Sequence, residues 1–132
     1  MSQRARGVET WALLAALGRE GIADLVDRTS DHAARFASLL VEGGAELLAP
    51  VVINQALIAF GDDDTTAAVI SGVQAEGTMW AGGTVWHRRR AMRISVSDAA
   101  TTNDDIEASA AAVLKVWKGL GPATARRVTS AA

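Results

Sequence analysis

The sequence contains no cysteine among its 132 residues. This absence excludes disulfides, thiolate catalysis and cysteine-based metal sites, and it leads us to expect a protein of the reducing cytoplasm. Apolar runs are short, well below the ~20 residues of a membrane-spanning helix, so we expect no membrane partner. The formal net charge is only −2, which provides no general attraction to nucleic acid, so we expect no nucleic-acid partner either.

Reactive side chains are scarce as well. Lysine occurs only at Lys115 and Lys118, and histidine only at His32 and His87. A single histidine in a helix or a turn is more often solvated than part of a ligand set, so we predict both histidines at the surface or its rim. Residues 62–64 are three aspartates without the spaced oxygens and distal glutamate of a calcium loop, so they predict a turn and a helix start. These residues therefore indicate no catalytic group and no metal site.

What the sequence does contain is the composition of a folded domain. Apolar residues account for 49% and charged residues for 21% of the chain, which suits a globular protein and not a disordered one. A chain of this length forms one ordinary domain with a substantial core. We predict a single α+β domain over residues 1–120, followed by a flexible tail of small and polar residues over 121–132.

Four helices are predicted from apolar residues that recur at intervals of three and four. The first two cover residues 8–17 and 20–41, with Gly18 between them. The third covers residues 65–75. The fourth begins at residue 102, where a threonine followed three residues later by an aspartate resembles a capping box. The helices therefore flank a middle segment from which the strands must come.

Strands are predicted at two places in this middle segment. Residues 45–48 are a short strand candidate that Pro50 interrupts, and residues 51–60, rich in β-branched and apolar side chains, predict a central strand. Residues 78–97 predict two further strands joined by a hairpin tip at 87–90, and residues 91–96 alternate as a strand with one buried face does. The predicted order is α-α-β-β-α-β-β-α. It indicates a two-layer α+β domain, with helices on one face of an antiparallel or mixed sheet of three to four strands.

Arg93 lies within the alternating strand, on the same face as Ser95 and Ser97. An arginine on a sheet can present its planar guanidinium to a carboxylate or a phosphate through two hydrogen bonds. The pattern alone still favours a cross-strand ion pair or simple exposure. Gly82 and Gly83 leave a similar choice, because glycine allows a ligand to approach the backbone closely but also occurs at bulges and turns.

A basic run, Arg88 to Arg90, falls at the predicted hairpin tip and lies close in sequence to Trp80 and Trp86. Basic and aromatic side chains together can bind single-stranded nucleic acid. Because the chain as a whole is slightly acidic, a solvated hairpin tip is the favoured interpretation of this run.

Five segments, taken together and in order, carry a resemblance to a known family. They are RARGVETWALL at 4–14, LGREG at 17–21, VINQALI at 52–58, GTMWAGGT at 77–84 and MRISVS at 92–97. The series extends over about residues 4–117, nearly the whole chain. It resembles the C-terminal portion of the pyridoxal-phosphate-dependent group II amino-acid decarboxylases, the family of glutamate and aromatic amino-acid decarboxylases.

The resemblance implies a fold-type I enzyme, in which a large α/β domain carries pyridoxal phosphate and a smaller C-terminal α+β domain accompanies it. Such enzymes are dimers with active sites near the subunit interface. The implied partners are therefore a large cofactor-binding domain or subunit, a second copy of the chain and an amino-acid substrate. In the family an arginine on the late strand binds the substrate carboxylate, and Arg93 is the matching residue. Gly82, Gly83 and Thr84 are implied to line the mouth of the site.

One departure from the family pattern limits what this chain is expected to do. Family members attach the cofactor to a lysine that precedes the matched region, whereas Lys115 and Lys118 both fall on the predicted last helix. We therefore expect no bound pyridoxal phosphate and no activity from this chain alone. The favoured hypothesis is the C-terminal domain of a decarboxylase that contributes substrate-carboxylate binding and domain packing. The alternative is a stand-alone oligomerisation or protein-interaction domain derived from that family.

Overall fold

The structure is a computed structural model that describes residues 5–121. The predicted tail therefore lies outside the described residues, except for Gly121. Seven elements follow one another along the chain: α1 Arg6–Glu42, β1 Glu46–Leu47, β2 Gln55–Ala59, α2 Asp63–Glu76, β3 Gly82–Trp86, β4 Arg89–Ser95 and α3 Asn103–Gly119. The predicted α+β class is confirmed, with the order α-β-β-α-β-β-α.

The first helix is longer than the sequence predicts. Residues 8–17 and 20–41 were expected as two helices, but they form the single element α1 with a kink at Gly18. Gly18 has φ 63° and ψ −173°, a backbone region that is accessible almost only to glycine. The leading α-α of the predicted order is therefore one bent helix, and the bend lies at the glycine where the break was predicted. We call residues 6–17, before the bend, the α1 arm.

The four strands form one sheet in the order β1-β2-β4-β3, and every neighbouring pair is antiparallel. The mixed alternative is thereby excluded. Because β4 lies between them and runs antiparallel to both, β2 and β3 are parallel to each other, with α2 as their connection. The strand predicted over 51–60 is shorter than expected, since only Gln55–Ala59 pairs in the sheet. Before it, the Asn54 side chain donates a hydrogen bond to the Val96 carbonyl at 2.9 Å.

All three helices contribute side chains to a core on one face of the sheet, as predicted. Met92, Ile94 and Val96, the alternating residues of the predicted strand, are buried there. The other large members with almost no exposed surface come from both layers: Phe36, Leu40, Ile58, Phe60, Val69, Val73 and Val113. Trp117 closes one side by packing its ring edge-on to that of Phe60, with 5.1 Å between the ring centroids.

His32 is the clearest error of the sequence prediction in the helical layer. Predicted at the surface or its rim, it is 7% exposed on the buried side of α1. Its Nδ1 atom is buried and has no hydrogen-bond partner among the described residues. Because α1 is covered by α3 on this side, a position four residues before the core residue Phe36 becomes interior.

Both later helices begin at a capping residue, and the cap at Thr102 was predicted. Asp62 begins α2 and its carboxylate accepts a hydrogen bond from the Thr65 backbone N–H at 2.7 Å. Thr102 begins α3 in a reciprocal capping box with Asp105. The pKa of Asp62 lies below its ordinary value because Thr65 donates to its carboxylate. The aspartate run 62–64 is thus a helix start, as its composition predicted.

Candidate functional site

The β3–β4 hairpin positions the residues that the sequence singled out. Its two-residue turn is His87-Arg88, with φ values of 47° and 66°. Two successive left-handed residues match the twist of the flanking strands, although non-glycine residues adopt this conformation at a cost. The predicted tip at 87–90 is thereby narrowed to two residues, and Arg89 and Arg90 belong to β4.

The register of the sheet decides which side chains share a face with Arg93. Arg93 is paired with Leu57 of β2 on one side and with Gly82 of β3 on the other. Directly paired residues project from the same face, and alternate residues along a strand return to it. The face opposite the helices, which we call the open face, therefore carries Glu46, Gln55, Leu57, Ala59, Gly82, Thr84, Trp86, Arg89, Ala91, Arg93 and Ser95.

A depression of about 340 Å³ lies on this open face. It is bordered by the sheet residues Gln55, Leu57, Thr84, Trp86 and Arg93 and by the segment before β2, which supplies Ala49, Pro50, Val52 and Ile53. Its volume falls within the range of small-molecule sites in proteins. The structure thus brings Arg93 and Thr84 together at one concave surface.

Arg93 is exposed, and its guanidinium makes no hydrogen bond or ion pair within the described residues 5–121. A cross-strand acid, one of the two alternatives that the pattern left open, is not found beside Arg93 in this part of the chain, because its pairing neighbours are a leucine and a glycine. Simple exposure, the other alternative, is what the structure has. The guanidinium retains all of its donors for a ligand.

Arg89, on the same face, already forms an ion pair. Its two terminal nitrogens donate to the two carboxylate oxygens of Glu46, each at 2.7 Å. These hydrogen bonds are the main cause of a lowered pKa for Glu46 and a raised pKa for Arg89. The pair ties β4 to the edge strand β1, so Arg93 is the open-face arginine that remains available among the described residues.

Gly82, Gly83 and Thr84, the residues implied to line the mouth of the site, do not all lie on the same face of β3. Gly82 and Thr84 share the open face with Arg93, and Thr84 borders the depression. A Cβ atom on Gly82 would meet nothing within 4 Å, so no side chain occupies the sheet position next to Arg93 on β3. Gly83 faces the helical layer instead, where a Cβ would lie 3.6 Å from Cδ1 of Ile70. Gly82 and Thr84 therefore adjoin the site, and Gly83 packs towards α2.

Sequence reasoning missed the apolar border of the depression. Val52 and Ile53 were assigned to a central strand, but they precede β2 and remain exposed, Val52 by 88%. Leu57 and Trp86 were not singled out for the site at all. Pro50 at the start of this run and the alternation of β2 are the signals that could have placed these residues on a loop and on the open face.

The described residues offer little to a metal or to a covalent cofactor. Within residues 5–121 there is no cluster of three or more histidine, aspartate or glutamate side chains suited to a metal ion. Lys115 and Lys118 are exposed on α3 and neither borders the depression. No helix in this part of the chain combines the length and the apolar character needed to cross a membrane.

Solved structures with the same fold come from much longer proteins. Oryza sativa TDC with PLP and tryptamine has a TM-score of 0.80 at 14% identity, over 89% of this chain and 28% of its own. Rhodiola rosea 4-hydroxyphenylacetaldehyde synthase has 0.78 at 14%, over 90% and 27%. Catharanthus roseus tryptophan decarboxylase in complex with L-tryptophan has 0.77 at 12%, over 86% and 26%.

These likenesses show the fold, since the identities are too low to carry an activity across. The chain spans about a quarter of the length of the proteins it matches. By sequence it matches no family model and no curated protein. The fold expected from the resemblance is confirmed. The chain has the fold of one region of longer proteins, and a decarboxylase is among them.

Proposed function

We propose that this chain is the C-terminal domain of a cytoplasmic, pyridoxal-phosphate-dependent amino-acid decarboxylase, in which Arg93 binds the substrate carboxylate. The observation that supports it most directly is the uncommitted guanidinium of Arg93 beside a concave surface on the open face. An arginine and a carboxylate form two parallel hydrogen bonds, stronger than those between neutral groups. Gly82 leaves room beside the guanidinium for such a ligand.

Pyridoxal phosphate would be held by another part of the enzyme, because the described residues of this chain do not fit it. A covalent cofactor site needs a desolvated lysine, and both lysines are exposed on α3, away from the depression. When bound there, the cofactor would supply the electron sink for decarboxylation. This chain would orient the substrate carboxylate and cover the site through its open face, with a large cofactor-binding domain and a second copy as partners.

The first test replaces Arg93 in the full enzyme that this chain completes. Arg93→Gln removes the charge and is expected to lower kcat/KM by about 10- to 100-fold, since hydrogen bonds to charged groups contribute about 1.5–3 kcal/mol. Arg90→Gln is the matched control, because Arg90 lies on the same strand but borders a different surface beside α2. Bound pyridoxal phosphate is measured by absorbance in each variant. Equal loss of cofactor and activity in Arg93→Gln would argue against a substrate role.

The second test uses the chain alone. Pyridoxal phosphate is added, the mixture is treated with borohydride, and the protein is analysed by peptide mass spectrometry. We expect no stoichiometric adduct at Lys115 or Lys118 and no turnover of amino acids, because both side chains are solvated. A single-lysine adduct accompanied by turnover would overturn the claim that this chain needs a cofactor-binding partner.

The exposed α1 arm favours a second candidate, a stand-alone oligomerisation domain. Large apolar side chains on the arm face solvent, with Trp11 69% exposed, and they are distributed around the helix: Val8, Trp11, Leu13, Leu14 and Leu17. Helices that are apolar on all sides are normally buried. Light scattering coupled to size exclusion tests this second candidate, since a monomer across micromolar concentrations would contradict it. A dimer that Trp11→Ser dissociates would support it.

A further inference from the structure

The two edges of the sheet differ in how they are protected. At one edge, β1 has only two residues, and its Glu46 is held by Arg89 through two hydrogen bonds of 2.7 Å. At the other edge, β3 has five residues, Gly82–Trp86, none of them charged or proline, and it pairs with β4 without a bulge. Short strands, charges, prolines and bulges are the devices that keep a sheet edge from pairing with another chain. β3 therefore presents an edge that is able to accept a further strand.

The hairpin turn determines which backbone groups of β3 point out of the sheet. In a two-residue hairpin the flanking residues, here Trp86 and Arg89, exchange both of their backbone hydrogen bonds, and every second pair along the strands does the same. The Arg90 N–H points away from β3, since it donates to a carboxylate oxygen at the start of α2, 2.9 Å away. Gly83 and Val85 therefore direct their N–H and C=O groups to the free edge, where no residue within 5–121 bonds to them.

The side chains of β3 are complementary in size to those of an antiparallel copy of the same strand. When Thr84 of one copy faces Thr84 of the other, Gly83 lies opposite Val85 and Gly82 lies opposite Trp86. Each glycine then meets a large side chain that is well exposed in the single chain, the valine by 67% and the tryptophan by 41%. Threonine pairs, and aromatic rings set against glycines at a sheet edge, are favourable cross-strand contacts. The arrangement has twofold symmetry, so both copies use the same surface.

The space beside Gly83 is suited to the valine of a second copy. A groove of about 330 Å³ lies between β3 and α2, and Gly83 and Ile70 both line it. A Cβ atom on Gly83 would lie 3.6 Å from Cδ1 of Ile70, which is an ordinary contact distance. Val85 of the second copy, on the same face and opposite Gly83, would therefore bring its methyl groups to the entrance of this groove. Burial of such apolar surface favours association.

We propose that two copies of this chain associate through β3, which pairs antiparallel with itself around Thr84 and joins two four-stranded sheets into one. The outward backbone groups of Gly83 and Val85 form the new hydrogen bonds, as in other complexes made by strand addition. The inference does not depend on the proposed function, because the pairing uses the edge of the sheet and leaves its open face uncovered. One strand contributes far fewer residues than the ~20–30 per side of a standard interface, so we expect a dissociation constant of about 10–100 μM.

A single cysteine in the full chain tests the register, because the sequence has none of its own. Thr84→Cys places two sulfurs in a directly opposed, non-hydrogen-bonded pair, whose Cα separation of about 4.5 Å permits a disulfide. Val85→Cys is the matched control, since Val85 is exposed on the same strand but would face a glycine of the second copy. Both variants are oxidised with diamide at the same protein concentration, and the linked dimer is measured by non-reducing electrophoresis. We expect Thr84→Cys to cross-link at least about tenfold faster. Equal rates for the two variants would overturn the proposed pairing.

Sedimentation equilibrium of the full chain, at concentrations up to about 1 mM, tests whether the outward backbone groups join the copies. Val85→Pro removes an N–H that points out of the sheet and leaves the β3–β4 bonds intact. It is expected to weaken association at least about fivefold, because each copy loses a hydrogen bond. Val85→Thr retains both the N–H and the branched shape and should stay within about twofold. Trp11→Ser, on the α1 arm, should change nothing. A chain that is monomeric throughout, or a dimer that Trp11→Ser dissociates and Val85→Pro does not, overturns the proposal.

Discussion

At the scale of single residues, existing ion pairs decide which arginine is available to bind a ligand. Arg35 reaches Glu107 at 3.1 Å, and Arg89 holds Glu46 at 2.7 Å through both terminal nitrogens. A ligand that recruited either would have to displace an existing carboxylate. Arg93 has no such pair within the described residues, so its interaction with a carboxylate costs no prior contact. The same strand thus carries an arginine that stabilises the sheet edge and one that is available.

Thr102 is the residue whose local role can be tested most directly. Its hydroxyl accepts from the Asp105 backbone N–H at 3.2 Å, and its backbone N–H and hydroxyl both donate to the Asp105 carboxylate. Thr102→Ala removes the hydroxyl, so we expect the free energy of unfolding to fall by about 1 kcal/mol. The pKa of Asp105, lowered chiefly by Thr102, should rise towards its ordinary value. Urea unfolding and carboxyl NMR titration measure the two effects.

Thr102→Ser is the control for this substitution, because serine preserves the hydroxyl and forms an N-cap of similar strength. It should retain both the stability and the lowered pKa of Asp105. A Thr102→Ala protein with unchanged stability and an unchanged Asp105 pKa would show that the capping box does not stabilise α3.

At the scale of elements, a glycine sets how closely α2 approaches α3. A Cβ atom on Gly72 would lie 2.5 Å from Cγ1 of Val116, well inside contact distance. Valine has one strongly preferred rotamer in a helix, so Val116 cannot easily turn away. The absence of a side chain at Gly72 therefore allows α2 and α3 to pack closely against each other.

Gly72→Ala is therefore expected to destabilise the protein by about 1–3 kcal/mol, although alanine favours helices by about 1 kcal/mol over glycine. The double variant Gly72→Ala/Val116→Ala should recover most of this loss, because the clashing methyl group is gone. Urea unfolding of the two single variants and the double variant gives the coupling energy. Gly7→Ala, where a Cβ would meet nothing within 4 Å, is the control and should not lower stability. A Gly72→Ala protein more stable than wild type would refute the close contact.

Elements were predictable from the sequence where local pattern and tertiary packing agree. The alternation of β4, the cap at Thr102 and a helix start at the aspartate run 62–64 were correctly predicted, since each depends on neighbours close in sequence. The segment before β2 was not, because β-branched residues such as Val52 suit a strand but pair with nothing here. The same holds for the candidate site. The alternation of β4 predicted the face on which Arg93 lies, whereas the apolar border of the depression depends on contacts between segments that are distant in sequence.

At the scale of the whole molecule, one face of the sheet is covered and the other is open. The helices bury the face that carries Ile58 and Met92, while Leu57 and Trp86 face outwards together with the apolar segment before β2. Exposed apolar patches of this kind mark surfaces where another body or a ligand binds. The open face and the α1 arm are therefore the surfaces that the proposed partners would cover.

The stability of the whole chain should fall in acid for a reason visible in its carboxyl groups. The pKa values of Glu46, Asp62, Glu76 and Asp105 all lie below their ordinary values, in each case first because a neighbouring side chain donates a hydrogen bond. A lowered pKa in the folded state means that the unfolded chain binds protons more readily. The contribution of these groups to stability is then fully present above their ordinary pKa values, 3.8 for Asp and 4.5 for Glu.

We accordingly expect the urea midpoint to be constant between about pH 7 and pH 6 and to decline steadily as the pH falls below about 4.5. Glu46→Gln should reduce the slope of this decline, because it removes one proton-linked group, although it also weakens the Arg89 contact at neutral pH. Repeating the series at high salt distinguishes the two electrostatic causes, since repulsion between the accumulating positive charges is screened while short hydrogen bonds persist. A midpoint that stays level down to pH 3 at high salt would mean that these hydrogen-bonded carboxylates do not stabilise the folded chain.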